Sequence, residues 1–414
     1  MLFKMFFCKL SCIFLILLFI NVCHCSQRVL RSWINPNCGE ICDKKNLTTV
    51  WLRADGLNDT LHYVWDFSGS PSVLMAVTSR SAELEIKWEE YVLGKSKSLR
   101  FTETPHYTFG IVLRKIYEFN DINDTGLIDT VDASNINILH PRSFRWDRTF
   151  FSKTNELVEL HMEGHDYNNA EDKISRRGKI KLLFNGFCSL NHSHITPHML
   201  HSENSTQIDL IIDHLQTNTS FLQSRFAIEV LLVSEGNSNS TMIIDGKKTL
   251  DDEHTPGIFE VDEIRTPNNN YDNGIQKMGA YIQWKPVSYT TAERDVTSST
   301  DLIHYPLIVS YNHTKAMKNS LLFAFYDENV TQLLVQKINV SMGLKGDRFY
   351  KKTNYTTWTF IVGYGTPPDE QFSYLVIMII SIGIGLPLLI MISTGLYLCA
   401  RRFRNQDSNV LLNR

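Results

Sequence analysis

The histidine-rich stretch near the middle of the chain consists of His192, His194, His198 and His201. Imidazole nitrogens bind zinc and copper, and they take up protons in an acidic compartment. The same stretch contains Pro197 and a glycosylation motif, both of which are typical of a surface loop. We therefore expect a solvated loop here, with no metal and no other cofactor.

The acidic group Asp251, Asp252 and Glu253 could supply the paired carboxylates of a glycoside hydrolase. Adjacent residues of an extended chain point to opposite faces, so these carboxylates would not face one substrate bond. Aspartates that bond their own backbone favour a turn instead. The sequence also lacks Gly-x-Ser-x-Gly, His-Glu-x-x-His and phosphate-loop motifs. We predict a protein that is not an enzyme.

The end of the chain fits a sorting signal. Asp407 lies four residues before the pair Leu411 and Leu412. Two leucines can enter an apolar groove of a clathrin adaptor complex while the carboxylate meets a basic patch. This pattern predicts delivery to endosomes and lysosomes.

Two apolar runs predict the topology that would place this tail in the cytosol. Lys4 and Lys9 precede a short apolar run and small residues, which indicates a signal peptide at residues 1–25. The uncharged residues 372–400 are long enough to cross a membrane as a helix. Basic residues follow at once, so residues 401–414 form the cytoplasmic tail and residues 26–371 the lumenal region of a type I membrane protein.

Glycosylation motifs support this topology independently, because all of them lie between the two apolar runs. Their number exceeds what chance would supply. The eleven Asn-x-Ser/Thr motifs begin at Asn46, Asn58, Asn123, Asn191, Asn204, Asn218, Asn239, Asn312, Asn329, Asn339 and Asn354.

Charge and cysteine content exclude other classes. The net charge is −3, with basic and acidic residues intermixed, so no basic stripe indicates a nucleic-acid binder. Cys38, Cys42 and Cys188 are the cysteines well inside the lumenal region. A Cys38–Cys42 disulfide and a bridge from Cys188 to either one are both open. Three cysteines form too few disulfides to stabilise so long a region, so a conventional hydrophobic core is expected.

Alternation of apolar and polar residues predicts strands along the lumenal region, for example over Leu61–Phe67 and Ile208–Ile212. The runs Val73–Val77, Ile228–Val233 and Leu321–Phe325 are apolar on both faces, with Glu229 the one charged residue among them, which favours inner strands. We predict an all-β, sandwich-like lumenal region plus one C-terminal transmembrane helix. The pattern leaves open one large sandwich or two packed sandwiches split near residues 166–177.

The sequence resembles the glycosylated lysosomal membrane protein family. The resemblance rests on Leu61–Trp65, on Val73–Val77, and on two motifs, Asp251-Asp252-Glu253-His254-Thr255-Pro256 with Phe259, and Gln283-Trp284-Lys285-Pro286-Val287-Ser288-Tyr289. Two features depart from the family. This chain has fewer cysteines in its later lumenal half, and its tail offers two leucines in place of a tyrosine-based signal.

The resemblance implies a lysosomal membrane glycoprotein that works as an accessory subunit. Its expected partner is a lysosomal major facilitator superfamily transporter that exports dipeptides, which it would bind, stabilise and shield from proteases. No glycosylation motif lies between Asn239 and Asn312, a stretch that contains both family motifs. This stretch could contact the transporter, or it could be a buried strand pair that cannot accept sugars.

Two other functions compete with this one. A membrane-tethered lumenal hydrolase requires a pocket in which titratable groups converge. A receptor or adhesion ectodomain would act at the cell surface, and it would not need the two leucines of the tail.

Overall fold

A computed structural model describes residues 28–235, 240–248, 258–267, 271–272, 275–276, 279–326, 333–347, 349–369 and 374–411. Strands are numbered in chain order. The first nine are β1 (Val29–Ile34), β2 (Thr49–Asp55), β3 (Thr60–Asp66), β4 (Ser72–Thr78), β5 (Leu84–Ile86), β6 (Leu99–Phe101), β7 (Tyr107–Asn120), β8 (Ile136–Leu139) and β9 (Arg145–Lys153).

The next nine strands are β10 (Leu157–His165), β11 (Tyr167–Asn169), β12 (Ile174–Arg176), β13 (Lys179–Phe187), β14 (Asn191–His192), β15 (Leu200–His201), β16 (Ser205–Asp213), β17 (Ser224–Glu235) and β18 (Ile243–Lys248). The last nine are β19 (Glu260–Arg265), β20 (Tyr271–Asp272), β21 (Ile275–Gln276), β22 (Ala280–Trp284), β23 (Val287–Tyr289), β24 (Ser299–His304), β25 (Ile308–Val309), β26 (Leu333–Met342) and β27 (Tyr355–Tyr364).

The helices are short except at the C-terminus. They are α1 (Glu40–Lys45), α2 (Trp88–Val92), α3 (His313–Met317), α4 (Leu321–Phe325), α5 (Phe349–Thr353), α6 (Tyr374–Ile380) and α7 (Leu386–Leu411). Single 3₁₀ turns lie at Ile128–Thr130, Ala133–Asn135, Pro141–Ser143 and Val296–Ser298, and a π-helical turn lies at Ser381–Gly385.

Two large antiparallel sheets form the lumenal region. The first has 11 strands in the order β1-β2-β3-β4-β7-β17-β26-β24-β23, with β8 beside β7 and β25 beside β26. The second has 8 strands in the order β18-β19-β22-β27-β16-β13-β10-β9. Strands from before and after residues 166–177 share both sheets, since β7 pairs with β17 and β10 pairs with β13. The prediction of an all-β, sandwich-like fold is confirmed.

The core lies between the two sheets. Inward-facing residues alternate with outward-facing ones, so that Ile208 and Leu210 of β16 are buried in the core. The Trp65 indole of the first sheet packs on the Phe184 ring of the second, with ring centroids 5.1 Å apart. The two sheets are in close contact at Gly186, where an added Cβ atom would lie 2.2 Å from Leu52 Cδ2. The fold therefore requires a residue without a side chain there.

A second apolar layer covers the outer face of the first sheet. Residues of β2, β3 and β4 pack there against α2, α4 and the β5–β6 hairpin. Consequently β3 is buried on both faces, although its sequence alternates. The predicted inner strand over Leu321–Phe325 is wrong, because this segment is helix α4. A five-residue apolar run does not separate a strand from a buried helical turn.

A buried ion pair connects the loop between β23 and β24 to the second sheet. Arg294 Nη2 lies 2.5 Å from Asp209 Oδ2, and Arg294 Nη1 lies 3.1 Å from Asp209 Oδ1. Asp209 is fully buried, and Arg294 is 9% exposed. Arg294 Nη1 also donates to the Thr196 carbonyl, so this guanidinium joins three segments of the chain.

The three described cysteines of the lumenal region are a disulfide-bonded pair and Cys188. Cys38 and Cys42 form a disulfide with Cα atoms 5.8 Å apart, which settles the pairing that the sequence left open. It closes a loop that includes the start of α1. Cys188 lies in the core between the sheets and takes no part in this disulfide.

The C-terminal helix has the composition of a membrane span. Ile377–Arg402 comprises 26 residues with a mean hydropathy of 2.3. The π-helical turn Ser381–Gly385 ends two residues before Pro387. Proline has no N–H to donate and its ring crowds the carbonyl one turn earlier, so a widened turn at this position has a physical cause. The predicted single-pass membrane topology agrees with this helix.

Candidate functional site

An open cleft of about 630 Å³ lies where the two sheets part at one edge of the sandwich. Strands β18 and β19 of the second sheet form one wall, and β24 of the first sheet forms the other. We call this the edge cleft. It is lined by Lys248, Ile258, Phe259, Glu260, Asp262, Pro286, Asp301, Leu302, Ile303 and His304.

The two family motifs meet at the edge cleft. Gln283 and Trp284 belong to β22 and are buried, which makes them structural. Directly after them the chain crosses from the second sheet to β23 of the first, and Pro286 in this crossover lines the cleft. Phe259, just before β19, lines it from the other side and is 53% exposed. The fold therefore brings together two segments that are some 25 residues apart.

The pairing of the strands determines which charged groups of the cleft lie next to each other. Asp262 of β19 lies opposite Trp284 of β22. Across the cleft, His304 Nε2 of β24 lies 3.6 Å from Asp262 Oδ1, and its ring meets the Trp284 indole edge-on at 5.9 Å. Asp262 is only 3% exposed.

Two carboxyl groups of the cleft have raised pKa values. Burial raises the pKa of Asp262; the nearby His304 opposes this rise, and the charge of Glu260 adds to it. Burial also raises the pKa of Asp301, together with repulsion from Asp347. The described lining residues include no serine, threonine or cysteine.

Nine of the predicted glycosylation sites lie within the described residues, and all nine are at least partly accessible. Asn46, Asn58, Asn123, Asn191 and Asn312 are exposed, and Asn204, Asn218, Asn339 and Asn354 are partly exposed. Asn239 and Asn329 lie outside the described residues. Strands β18, β19, β23 and β24 contain no glycosylation motif. The described walls of the edge cleft therefore carry no N-glycosylation motif.

The histidines of the histidine-rich stretch lie in different environments. His201 is buried and stacks on Phe187 with ring centroids 3.4 Å apart, and burial lowers its pKa to about 4. His198 Nδ1 lies 2.7 Å from the Ser193 carbonyl, in the turn that precedes β15. Among the described residues, no three histidine, cysteine or acidic side chains are placed to hold one metal ion.

Some predicted residues cannot be placed. Asp251, Asp252, Glu253 and Pro256 of the first family motif lie outside the described residues, as does Leu412. Asp407 and Leu411 lie in α7, which continues past the membrane span.

The residues that sequence reasoning missed are Glu260, Asp262, Asp301 and His304. Glu260 and Asp262 are two apart on one strand, a spacing that puts both on one face. No feature of the sequence connects them to residues 301 and 304, because only the pairing of the sheets brings the two segments together.

Comparison with known proteins gives matches over most of the chain. Residues 48–405 match the family described as glycosylated lysosomal membrane protein. A relative of that name from Danio rerio is 29% identical over 87% of this chain and 85% of its own length. Form A from Xenopus laevis is 26% identical over 87% of each chain. The Homo sapiens relative is 22% identical over 90% of this chain and 86% of its own.

Proposed function

The chain belongs to the glycosylated lysosomal membrane protein family, and on that premise we propose that it is the accessory subunit of a lysosomal transporter. In this role it binds a polytopic transporter of the major facilitator superfamily, stabilises it and shields it from lumenal proteases. The transported compounds are dipeptides, as the resemblance to the family implies. Clathrin adaptor complexes carry the protein to the lysosome by binding its tail.

The distribution of glycosylation sites carries the proposal. Accessible asparagines lie on many elements of the lumenal region, whereas the walls of the edge cleft have none. Bulky sugars protect a surface and also prevent it from docking against another protein. An exposed phenylalanine in a cleft whose described walls carry no glycosylation motif is therefore expected of a contact surface. A single membrane helix forms no transport path, which fits a subunit that assists a transporter.

The first test adds a sugar to the cleft. Asp301→Asn with Ile303→Thr creates a glycosylation motif on β24, where Asp301 is exposed. We expect this variant to fold and be glycosylated but to lose the transporter, because a glycan of several sugars fills the cleft. Mild-detergent purification from lysosomes followed by mass spectrometry measures the amount of transporter recovered per chain.

The matched control is Asp301→Asn with Ile303→Val. It has the same asparagine and nearly the same volume at residue 303, but it lacks the hydroxyl that the glycosylation machinery requires. Both variants lose the Asp301 carboxylate, so the effect of the sugar is the difference between them, and this control should recover clearly more transporter than the glycosylated variant. If the glycosylated variant recovers as much transporter as the control, the cleft is not the docking surface.

The second test concerns the tail. Replacement of Leu411 and Leu412 by alanine should move the protein from lysosomes to the cell surface, because the adaptor groove loses both apolar side chains. Surface biotinylation and microscopy measure the shift, and Asn409→Ala is the control within the same tail. Unchanged lysosomal localisation would show that the two leucines do not sort the protein.

A further inference from the structure

Asp262 differs from the other buried carboxylates of the described residues. Eight further acidic side chains are buried to a similar degree. Asp66 accepts hydrogen bonds from the Thr49 and Ser68 hydroxyls. The other seven each lie within 4.0 Å of an arginine or lysine; they are Asp55, Glu118, Asp121, Asp124, Asp209, Glu229 and Glu263.

Among the described residues, Asp262 accepts no hydrogen bond from a hydroxyl group and has no arginine or lysine within 4.0 Å. The imidazole of His304, 3.6 Å away, and the indole of Trp284 are its polar neighbours. A carboxylate that is removed from water is costly unless a cation or several donors compensate its charge. His304 supplies a positive charge only when it is protonated. Because Asp262 lines the edge cleft, a permanently charged group that enters from outside could provide the charge that no described arginine or lysine provides.

The rest of the cleft favours the same ligand. Glu260 and Asp301 add two carboxylates to that of Asp262, and Lys248 is the one lysine or arginine among the lining residues. Beside these charges the lining is apolar, with Phe259 projecting into solvent and Ile303 partly exposed. Charge complementarity thus selects a cationic group, and the apolar lining selects one that is attached to an apolar neighbour.

We propose that the edge cleft binds a lumenal segment of the partner protein that inserts a lysine or arginine beside Asp262 and packs an apolar side chain on Phe259. This inference rests on the proposed function, because it specifies the chemistry of the transporter segment that docks. A bound metal ion is the competing cation. The described residues do not provide three convergent ligands for one, whereas a single side-chain cation needs only the carboxylates present.

The test uses the full-length protein in cells. Asp262→Asn keeps the shape of the side chain and removes its charge. We expect it to reduce recovery of the transporter at least about tenfold, since loss of one partner from a buried charge pair has effects of that size or larger. The exposed Glu156, in the turn between β9 and β10, provides the control Glu156→Gln, which should leave recovery unchanged.

Folding is checked separately by resistance of the glycans to endoglycosidase H. If Asp262→Asn is retained in the endoplasmic reticulum, the double variant Glu260→Gln with Asp301→Asn replaces it, because both of these side chains are exposed. We expect this variant also to lower recovery severalfold. Normal recovery with the folded variants overturns the inference.

A photo-crosslink identifies the docked segment. With p-benzoylphenylalanine in place of Phe259, we expect a crosslink to a lumenal loop within a few residues of a lysine or arginine. A crosslink to a segment without a basic residue overturns the inference, and so does loss of recovery on treatment with EDTA. If the wild type recovers no transporter at all, the proposed function itself fails; if it recovers the transporter normally while Asp262→Asn does so too, only the inference fails.

Discussion

Replacement of Arg294 by alanine should lower the free energy of unfolding by about 3–5 kcal/mol. Asp209 is fully buried, and the Arg294 guanidinium contacts both of its carboxylate oxygens. Without the guanidinium, the carboxylate would stay buried, and among the described residues the Thr359 hydroxyl would still donate a hydrogen bond to it. The loop that Arg294 holds on the outer face of β16 would also lose its bond to the Thr196 carbonyl.

Guanidinium unfolding of the detergent-solubilised protein, followed by tryptophan fluorescence, measures this loss. All 7 tryptophans lie between residues 33 and 358, so the signal reports on the lumenal region. Arg100→Ala is the control. Its ion pair with Glu85 is exposed, with 64% and 44% of the two side chains accessible, so it should change stability by less than about 1 kcal/mol. Equal effects from the two variants would contradict the role given to Arg294.

Replacement of Trp65 by alanine should cost about 3–5 kcal/mol for a different reason. The indole is fully buried between the sheets, where it packs on Phe184, and it lies close to Gly186. Removing it leaves a cavity that two paired sheets can close only by shifting together. The same unfolding experiment measures the effect.

The variant Trp65→Phe tests whether the indole stabilises the fold through the volume that it fills. A phenyl ring refills much of the cavity, so this variant should lose clearly less stability than Trp65→Ala, by at least about 1–2 kcal/mol. If both variants lose the same amount, the indole does not contribute through the volume that it fills.

Much of the sandwich could be predicted because strand alternation is a local property. The segments Val73–Val77, Ile228–Val233 and Ile208–Ile212 were each expected to be strands, and they lie in β4, β17 and β16. The error at Leu321–Phe325 has a long-range cause. Its leucines pack on the outer face of the first sheet, and no local pattern reports the presence of that sheet.

The site was less predictable than the fold. The two family motifs contain Phe259 and Pro286, which line the edge cleft, and the gap in glycosylation sites covers the same stretch of the sequence. Asp301 and His304 could not be connected to Asp262, because their proximity depends on how β19 and β24 face each other across the sandwich edge. Burial of Asp262 without an arginine or lysine is likewise a tertiary property.

The cationic partners of the buried carboxylates determine how the fold responds to protons. Burial opposes ionisation of Asp55, but hydrogen bonds from Arg53, Arg31 and Thr60 outweigh it and lower its pKa to about 2. A carboxyl group whose pKa is lower in the folded than in the unfolded chain stabilises the fold above the unfolded value of about 4. That stabilisation is lost only as the pH falls from there towards 2.

Glu229 follows the same rule. Burial opposes its ionisation, yet the Tyr117 hydroxyl and the surrounding cations lower its pKa. The mildly acidic lumen of a lysosome lies above the window in which such groups take up protons. We therefore expect the pairing of buried acids with arginine and lysine to keep the lumenal region folded at acidic pH, in the compartment whose enzymes destroy unfolded chains.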